Sequence, residues 1–136
     1  MESETNKYKH SGLTEVIIGC FYTVYNSVGF GFNEKAYENA LTAELKKKGL
    51  VAEQQKEVEI RYNGKSIGSF VPDIVVDDTV VLELKTTDNI HRSHEKQLLN
   101  YLKVKEYEAG LLLNFGPKPQ IVRKAYDNEN KPWLLR

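Results

Sequence analysis

The sequence is poor in the residues that would cross-link the chain or place it in a membrane. Cys20 is the single cysteine among 136 residues, which excludes an intrachain disulfide and a cysteine-rich metal site. The longest apolar runs, such as residues 80–82 and 111–113, are too short for a transmembrane helix. Residues 1–7 are polar and contain no apolar signal core. We therefore expect a cytoplasmic protein with no membrane partner.

The chain also has no net charge, because 19 Lys and Arg are balanced by 19 Asp and Glu. A neutral chain does not favour tight, nonspecific binding of nucleic acid through bulk charge. The charges are nevertheless uneven: residues 1–90 hold 10 basic and 14 acidic side chains, and residues 91–136 hold 9 and 5. This asymmetry fits either chance or a site where carboxylates hold cations and nearby basic side chains contact phosphate.

Two amphipathic helices are predicted in the first third of the chain. Apolar residues recur every three or four positions over residues 11–28. A second helix is expected to begin after Asn33, a good N-cap, and to end at Gly49. Phe32 and Tyr37 flank its start at the spacing of a hydrophobic staple.

The rest of the chain alternates between strand and helix patterns. Asn63-Gly64 predicts a hairpin turn, and Asp77-Asp78 predicts a second turn. Strands are expected over residues 58–62, 67–76, 79–85, 111–115 and 121–126, with a helix over residues 91–105. This order predicts an α/β protein with a mixed sheet and helices packed on it. We expect one domain over residues 11–126, between a flexible leader (1–10) and a C-terminal tail (127–136).

An acidic and basic set interrupts the most apolar of these strands. Glu83 and Lys85 are two residues apart, so they project from one face of the sheet. The turn at 77–78 makes the neighbouring strands antiparallel and can bring Asp73 close to Glu83. Two carboxylates can hold a hard cation such as Mg²⁺, and an ammonium group beside them can orient a water or neutralise charge on a phosphate. Alternatively, Glu83 and Lys85 form an ordinary ion pair on an edge strand.

Further polar residues lie at helical spacing. Glu34 and Glu38 are four residues apart, so either could add a carboxylate to the site or simply favour the start of the helix. Gln97 and Tyr101 are also four apart and could contact water or phosphate, although Tyr101 also fits a core position. His91 and His94 form an H-x-x-H pair, but a hard cation prefers oxygen ligands.

Together these residues make the chain similar to the GxxExxY protein family, a group within the PD-(D/E)XK nuclease superfamily. The likeness extends from about residue 13 to residue 126. Gln97 and Tyr101 resemble the Q-x-x-x-Y motif of RecB-like exonucleases. The matching positions are Gly31, Glu34, Tyr37, Pro72, Asp73, Glu83, Leu84, Lys85, His94, Gln97, Tyr101 and Asn114.

The resemblance implies a restriction-endonuclease-like fold with an αβββαβ core and an extra N-terminal helix. It implies a nuclease dependent on Mg²⁺ or Mn²⁺ that acts on nucleic acid, with DNA favoured over RNA. Asp73 and Glu83 would be metal ligands, with a helix glutamate, Glu34, as an auxiliary ligand. Lys85 would be the catalytic lysine, with Gln97 and Tyr101 assisting. The alternative is a non-catalytic module that keeps this fold and binds nucleic acid or protein; a homodimer is compatible with either.

Overall fold

The computed structural model describes residues 10–103 and 105–134. These residues form three α-helices, seven β-strands and two final 3₁₀ turns. The helices are α1 (Ser11–Val28), α2 (Glu34–Lys47) and α3 (Arg92–Lys103), and the turns are Asn128–Asn130 and Pro132–Leu134. The strands are β1 (Ala52–Gln54), β2 (Val58–Tyr62), β3 (Lys65–Phe70), β4 (Ile74–Val76), β5 (Val80–Lys85), β6 (Ala109–Phe115) and β7 (Pro119–Ala125). Most of the expected leader, residues 1–9, lies outside the described residues.

The start of α2 is built as the sequence predicts. The Asn33 side chain accepts a hydrogen bond from the backbone N–H of Ala36 at 2.8 Å, which caps the helix. Phe32 meets Tyr37 edge to face, with ring centroids 6.0 Å apart. The Tyr37 hydroxyl also donates to the carbonyl oxygen of Gly29, so the loop before α2 is fixed from both ends.

The expected strand over residues 67–76 is wrong as a single element. Its first part, β3, pairs with β2 in a separate two-stranded hairpin, whereas its second part, β4, belongs to the main sheet. Pro72 lies at the break and has no backbone N–H with which to continue a ladder. The strand over residues 58–62 therefore does not join the main sheet, and the short strand β1, which the sequence pattern did not predict, takes its place.

The main sheet has the strand order β1-β4-β5-β6-β7, and β5 and β6 are its parallel pair. With α2 before β1 and α3 between β5 and β6, the elements reproduce the expected αβββαβ core after one extra helix. Alternate residues of β5 face opposite sides of the sheet, and each side has its own hydrophobic core. Leu82 and Leu84 pack with α1 and α2, whereas Val81 packs with α3 and the hairpin. No helix within the described residues is long and apolar enough to cross a membrane.

A buried polar network ties the loop after β5 to the sheet. Asn114 is fully buried on β6, where it accepts from the backbone N–H of Thr87 and donates to the Thr87 carbonyl. Its amide also donates to Gln120, whose oxygen accepts from the backbone N–H of Ile90. The loop therefore leaves β5 in a fixed direction and leads into α3.

We expect Gly116→Ala to destabilise the protein by about 1–3 kcal/mol, the usual cost of overpacking. A Cβ at Gly116 would lie 1.9 Å from the carbonyl oxygen of Thr87, and neither backbone can yield without breaking this network. Gly19→Ala is the matched control, because a Cβ there meets nothing within 4 Å and alanine favours the helix by about 0.5–1 kcal/mol. Urea unfolding of both variants measures the difference. Equal stabilities would contradict the prediction.

Candidate active site

The two predicted acidic residues of the sheet lie together, immediately beyond the last β4–β5 pair. The register pairs Ile74 with Leu82, which leaves Asp73 and Glu83 opposite one another. The Asp73 carboxylate accepts from the backbone N–H of Leu84 at 2.8 Å, and the Glu83 carboxylate accepts from the backbone N–H of Asp73 at 3.1 Å. Each acid thus satisfies a backbone donor near the other.

Both carboxylates are half-buried side by side, and the pKa of each is raised. Burial, followed by the negative charge of Asp73, raises the pKa of Glu83 to about 8. Burial also raises the pKa of Asp73, against the lowering effect of its hydrogen bond from Leu84. A positive charge placed between the two groups would relieve this penalty.

Lys85 projects from the same face of β5 as Glu83, since the two are two residues apart along the strand. In the parallel register it lies beside Asn114, the centre of the polar network that fixes the next loop. Its positive charge lowers the pKa of Glu83 and of Asp73, but burial outweighs it at both groups. The predicted Asp73, Glu83 and Lys85 are therefore brought to one end of two adjacent strands.

The two helix glutamates differ in their surroundings. Glu38 is 4% exposed, and its carboxylate is occupied by Lys35 at 3.2 Å and by the amides of Gln54 and Gln55 at 2.7 and 3.0 Å. Glu34 is exposed at the start of α2. Partial burial raises the pKa of Glu34, and the charges of Lys85 and Asp73 act on that pKa next.

Gln97 and Tyr101 lie on α3, on the side of the sheet from which Glu83 projects. The Gln97 amide donates to the Tyr101 hydroxyl at 2.9 Å. The Tyr101 ring stacks on Phe70 of the hairpin, with centroids 4.0 Å apart and planes inclined by 10°. Burial raises the pKa of Tyr101, and the negative charges of Glu83 and Asp73 raise it further.

The histidine pair does not join the acidic set. His94 accepts from the backbone N–H of His91 at 3.3 Å through Nδ1, and the two rings meet edge to face. Burial lowers the pKa of His94, and the positive charge of Lys85 lowers it further.

Sequence reasoning missed two neighbours of the acidic set. Gln55, next to β1, contacts both Glu38 and Asp73 through its amide. Phe70 holds Tyr101 from the hairpin. The sequence offers little indication of a role for Gln55. It directly follows β1, which has only three residues and is too short to show a hydrophobic period. Phe70 could have been noticed as the last apolar residue before the Pro72-Asp73 break.

The donor chemistry fits a hard divalent cation, although a three-carboxylate cage is not assembled. Across residues 10–103 and 105–134, no three His, Cys, Asp or Glu side chains are grouped to hold an ion. That Asp73, Glu83 and Glu34 bind one ion together stays a prediction. Mg²⁺ commonly uses one or two carboxylates and completes its shell with water and phosphate oxygens. The half-buried pair of Asp73 and Glu83 meets that requirement.

The fold and site define an α/β protein with two carboxylates and a lysine at the end of adjacent strands. The sequence profile of the PD-(D/E)XK nuclease superfamily matches residues 11–124. The chain therefore belongs to the PD-(D/E)XK nuclease superfamily.

The fold is similar to the crystal structure of a protein designated SSO0001, with a TM-score of 0.54 and 22% sequence identity. The likeness covers 86% of this chain and 60% of that one, so this chain spans less than two thirds of the other protein. At this identity the likeness supports the fold alone. No curated protein gives a significant sequence match.

We expect the metal-free protein to lose stability as the pH rises from about 5 to 8. The pKa of Glu83 is about 8 in the folded protein, against an ordinary value of 4.5 that applies to the unfolded chain. Between these two values the folded protein binds one proton more than the unfolded chain, so a rise in pH favours unfolding. Stability should fall by up to about 1.4 kcal/mol per pH unit, the value for one proton. Urea unfolding in a chelator at several pH values measures the slope. Glu83→Gln cannot ionise and should flatten it; parallel slopes in both proteins would contradict the assignment.

Proposed function

We propose that this protein is a metal-dependent nuclease that hydrolyses phosphodiester bonds, with DNA as its substrate and Mg²⁺ or Mn²⁺ as its cofactor. The observation that carries the proposal is the half-buried Asp73–Glu83 pair with Lys85 on the same sheet face. Burying two carboxylates together is costly unless a cation compensates them. Membership of a nuclease superfamily supports nucleic acid as the substrate class.

Asp73 and Glu83 would hold the cation, and Glu34 would reach it from the start of α2. When bound, the ion would supply charge for the scissile phosphate and acidify the attacking water. Glu38 is a poorer candidate for this role, because three side chains already occupy its carboxylate.

Lys85 would orient the attacking water and neutralise negative charge that develops on the phosphate. Gln97 and Tyr101 would position the phosphate or the water from α3, which places them on the substrate side of the acidic pair. This arrangement, together with the Q-x-x-x-Y spacing, supports an exonuclease of the RecB-like type within the GxxExxY family.

A non-catalytic nucleic-acid- or protein-binding module is the second candidate. It is favoured by the absence of a preassembled three-ligand group among the described residues. Calorimetric titration of wild type and Glu83→Gln with Mn²⁺, followed by incubation with labelled single- and double-stranded DNA and RNA, separates the two. Binding of Mn²⁺ and cleavage, both lost in Glu83→Gln, supports the nuclease. Nucleic-acid binding without cleavage supports the module.

Lys85→Ala should abolish cleavage while leaving folding and Mn²⁺ affinity nearly unchanged, because an ammonium group does not bind a cation. Lys85→Arg should not restore full activity, since the planar guanidinium stays protonated and has a different shape. Cleavage assays at saturating Mn²⁺ beside calorimetry measure both effects. Full activity in Lys85→Ala would remove Lys85 from the mechanism.

Gln97→Ala should lower cleavage by roughly ten- to a hundredfold, the cost of one positioning hydrogen bond worth about 1.4–3 kcal/mol. Tyr101→Phe should cost less, because the ring keeps its stack on Phe70. Rates at saturating Mn²⁺, with thermal melts as the folding control, compare the variants. If Gln97→Ala cleaves like wild type, the helix has no role in positioning the substrate.

A further inference from the structure

Gln55 occupies an unusual position at the end of β1. The β1–β4 register ends with Gln54 opposite Ile74, so Gln55 lies opposite Asp73. Its backbone N–H donates to the Asp73 carbonyl at 3.0 Å. Its φ of 55° places it in the left-handed region, which a residue with a side chain adopts at a cost. With this backbone conformation, the Gln55 side chain contacts the acidic residues Glu38 and Asp73.

The Gln55 amide bridges two carboxylates that belong to different elements. Its Nε2 donates to Glu38 Oε1 at 3.0 Å and to Asp73 Oδ1 at 3.4 Å. The other Glu38 oxygen, Oε2, is taken by Lys35 and Gln54. The other Asp73 oxygen, Oδ2, accepts from the Leu84 N–H. Each of the four carboxylate oxygens of Glu38 and Asp73 therefore accepts a hydrogen bond.

We propose that Gln55 is a positioning residue that orients the Asp73 carboxylate for cation binding and keeps Glu38 outside the ligand set. The inference rests on the proposed function, because it concerns the same cation. It assigns the auxiliary role to Glu34 by elimination, since Gln55 closes the side of Glu38 that faces Asp73.

Physical chemistry supports this role for a neutral amide donor. Partners that hydrogen-bond a metal-binding carboxylate fix its orientation, and their loss typically weakens metal affinity about 10- to 100-fold. The Gln55 hydrogen bond also lowers the pKa of Asp73 against the larger opposing effect of burial. A lysine at this place would instead compete with the cation by its charge, whereas glutamine donates without adding charge.

The test compares Gln55→Gly with Gln54→Ala in the full chain. Glycine removes the amide and suits the left-handed backbone, so Gln55→Gly should fold at least as well as wild type. Gln54→Ala is the matched control, because Gln54 donates to Glu38 and Asn39 but not to Asp73. Three quantities are measured: the thermal midpoint without metal, the Mn²⁺ dissociation constant by calorimetry without nucleic acid, and DNA cleavage against Mn²⁺ concentration.

We expect Gln55→Gly to weaken Mn²⁺ binding by at least about tenfold, with cleavage restored toward wild type at saturating Mn²⁺ and an unchanged thermal midpoint. Gln54→Ala should bind Mn²⁺ like wild type. Unchanged Mn²⁺ affinity in Gln55→Gly would overturn this inference while leaving the nuclease proposal intact, and so would equal losses in both variants. Wild-type protein that binds no Mn²⁺ would overturn the metal-dependent nuclease and this inference with it.

Discussion

The antiparallel pairing of β4 with β5 ends at Ile74 and Leu82, and the acidic pair lies directly beyond that point. Backbone N–H groups near the end of the pairing need acceptors, because an unpaired buried donor costs about 1–3 kcal/mol. The Asp73 and Glu83 carboxylates are those acceptors. The same side chains therefore satisfy the backbone at the end of the sheet and form the candidate site, so a substitution at either position affects stability.

This arrangement carries an electrostatic cost. The two carboxylates are half-buried. The pKa of Glu83 is raised to about 8, and its partial burial contributes more than the charge of Asp73. Lys85 opposes the shift without cancelling it. A site that is poorly compensated by its own side chains is the kind that a divalent cation stabilises, and strongly perturbed acids in one cluster indicate function more often than structure.

The hairpin of β2 and β3 contacts the candidate site through its last residue. In the sequence it lies between β1 and β4, and it forms a separate sheet of two strands. Phe70, the last residue of the hairpin, stacks on Tyr101 of α3. Because Pro72 and Asp73 follow within three residues, the position of the hairpin and the position of the first acidic residue are linked through a short segment of chain.

Much of the local structure could be predicted from the sequence alone, because its causes act within a few residues. Asn33 caps α2 through a bond three residues away. Asn63-Gly64 forms the hairpin turn in the left-handed region, and Asp77-Asp78 forms the next turn with the same positive φ. The closeness of Asp73 and Glu83 followed from that turn, since antiparallel strands joined by a tight turn bring equidistant residues together.

Tertiary structure decided what depends on contacts between distant segments. The hydrophobic pattern did not show that the strand over residues 67–76 would divide at Pro72 between two sheets, because the partner strand of each half comes from a different part of the chain. Nor could it separate Glu34 from Glu38, which share one helix face. Gln54 and Gln55, some 16 residues further along the chain, bind Glu38 and leave Glu34 exposed. A carboxylate's role is set by the donors that surround it, and those donors come together only when β1 pairs with β4.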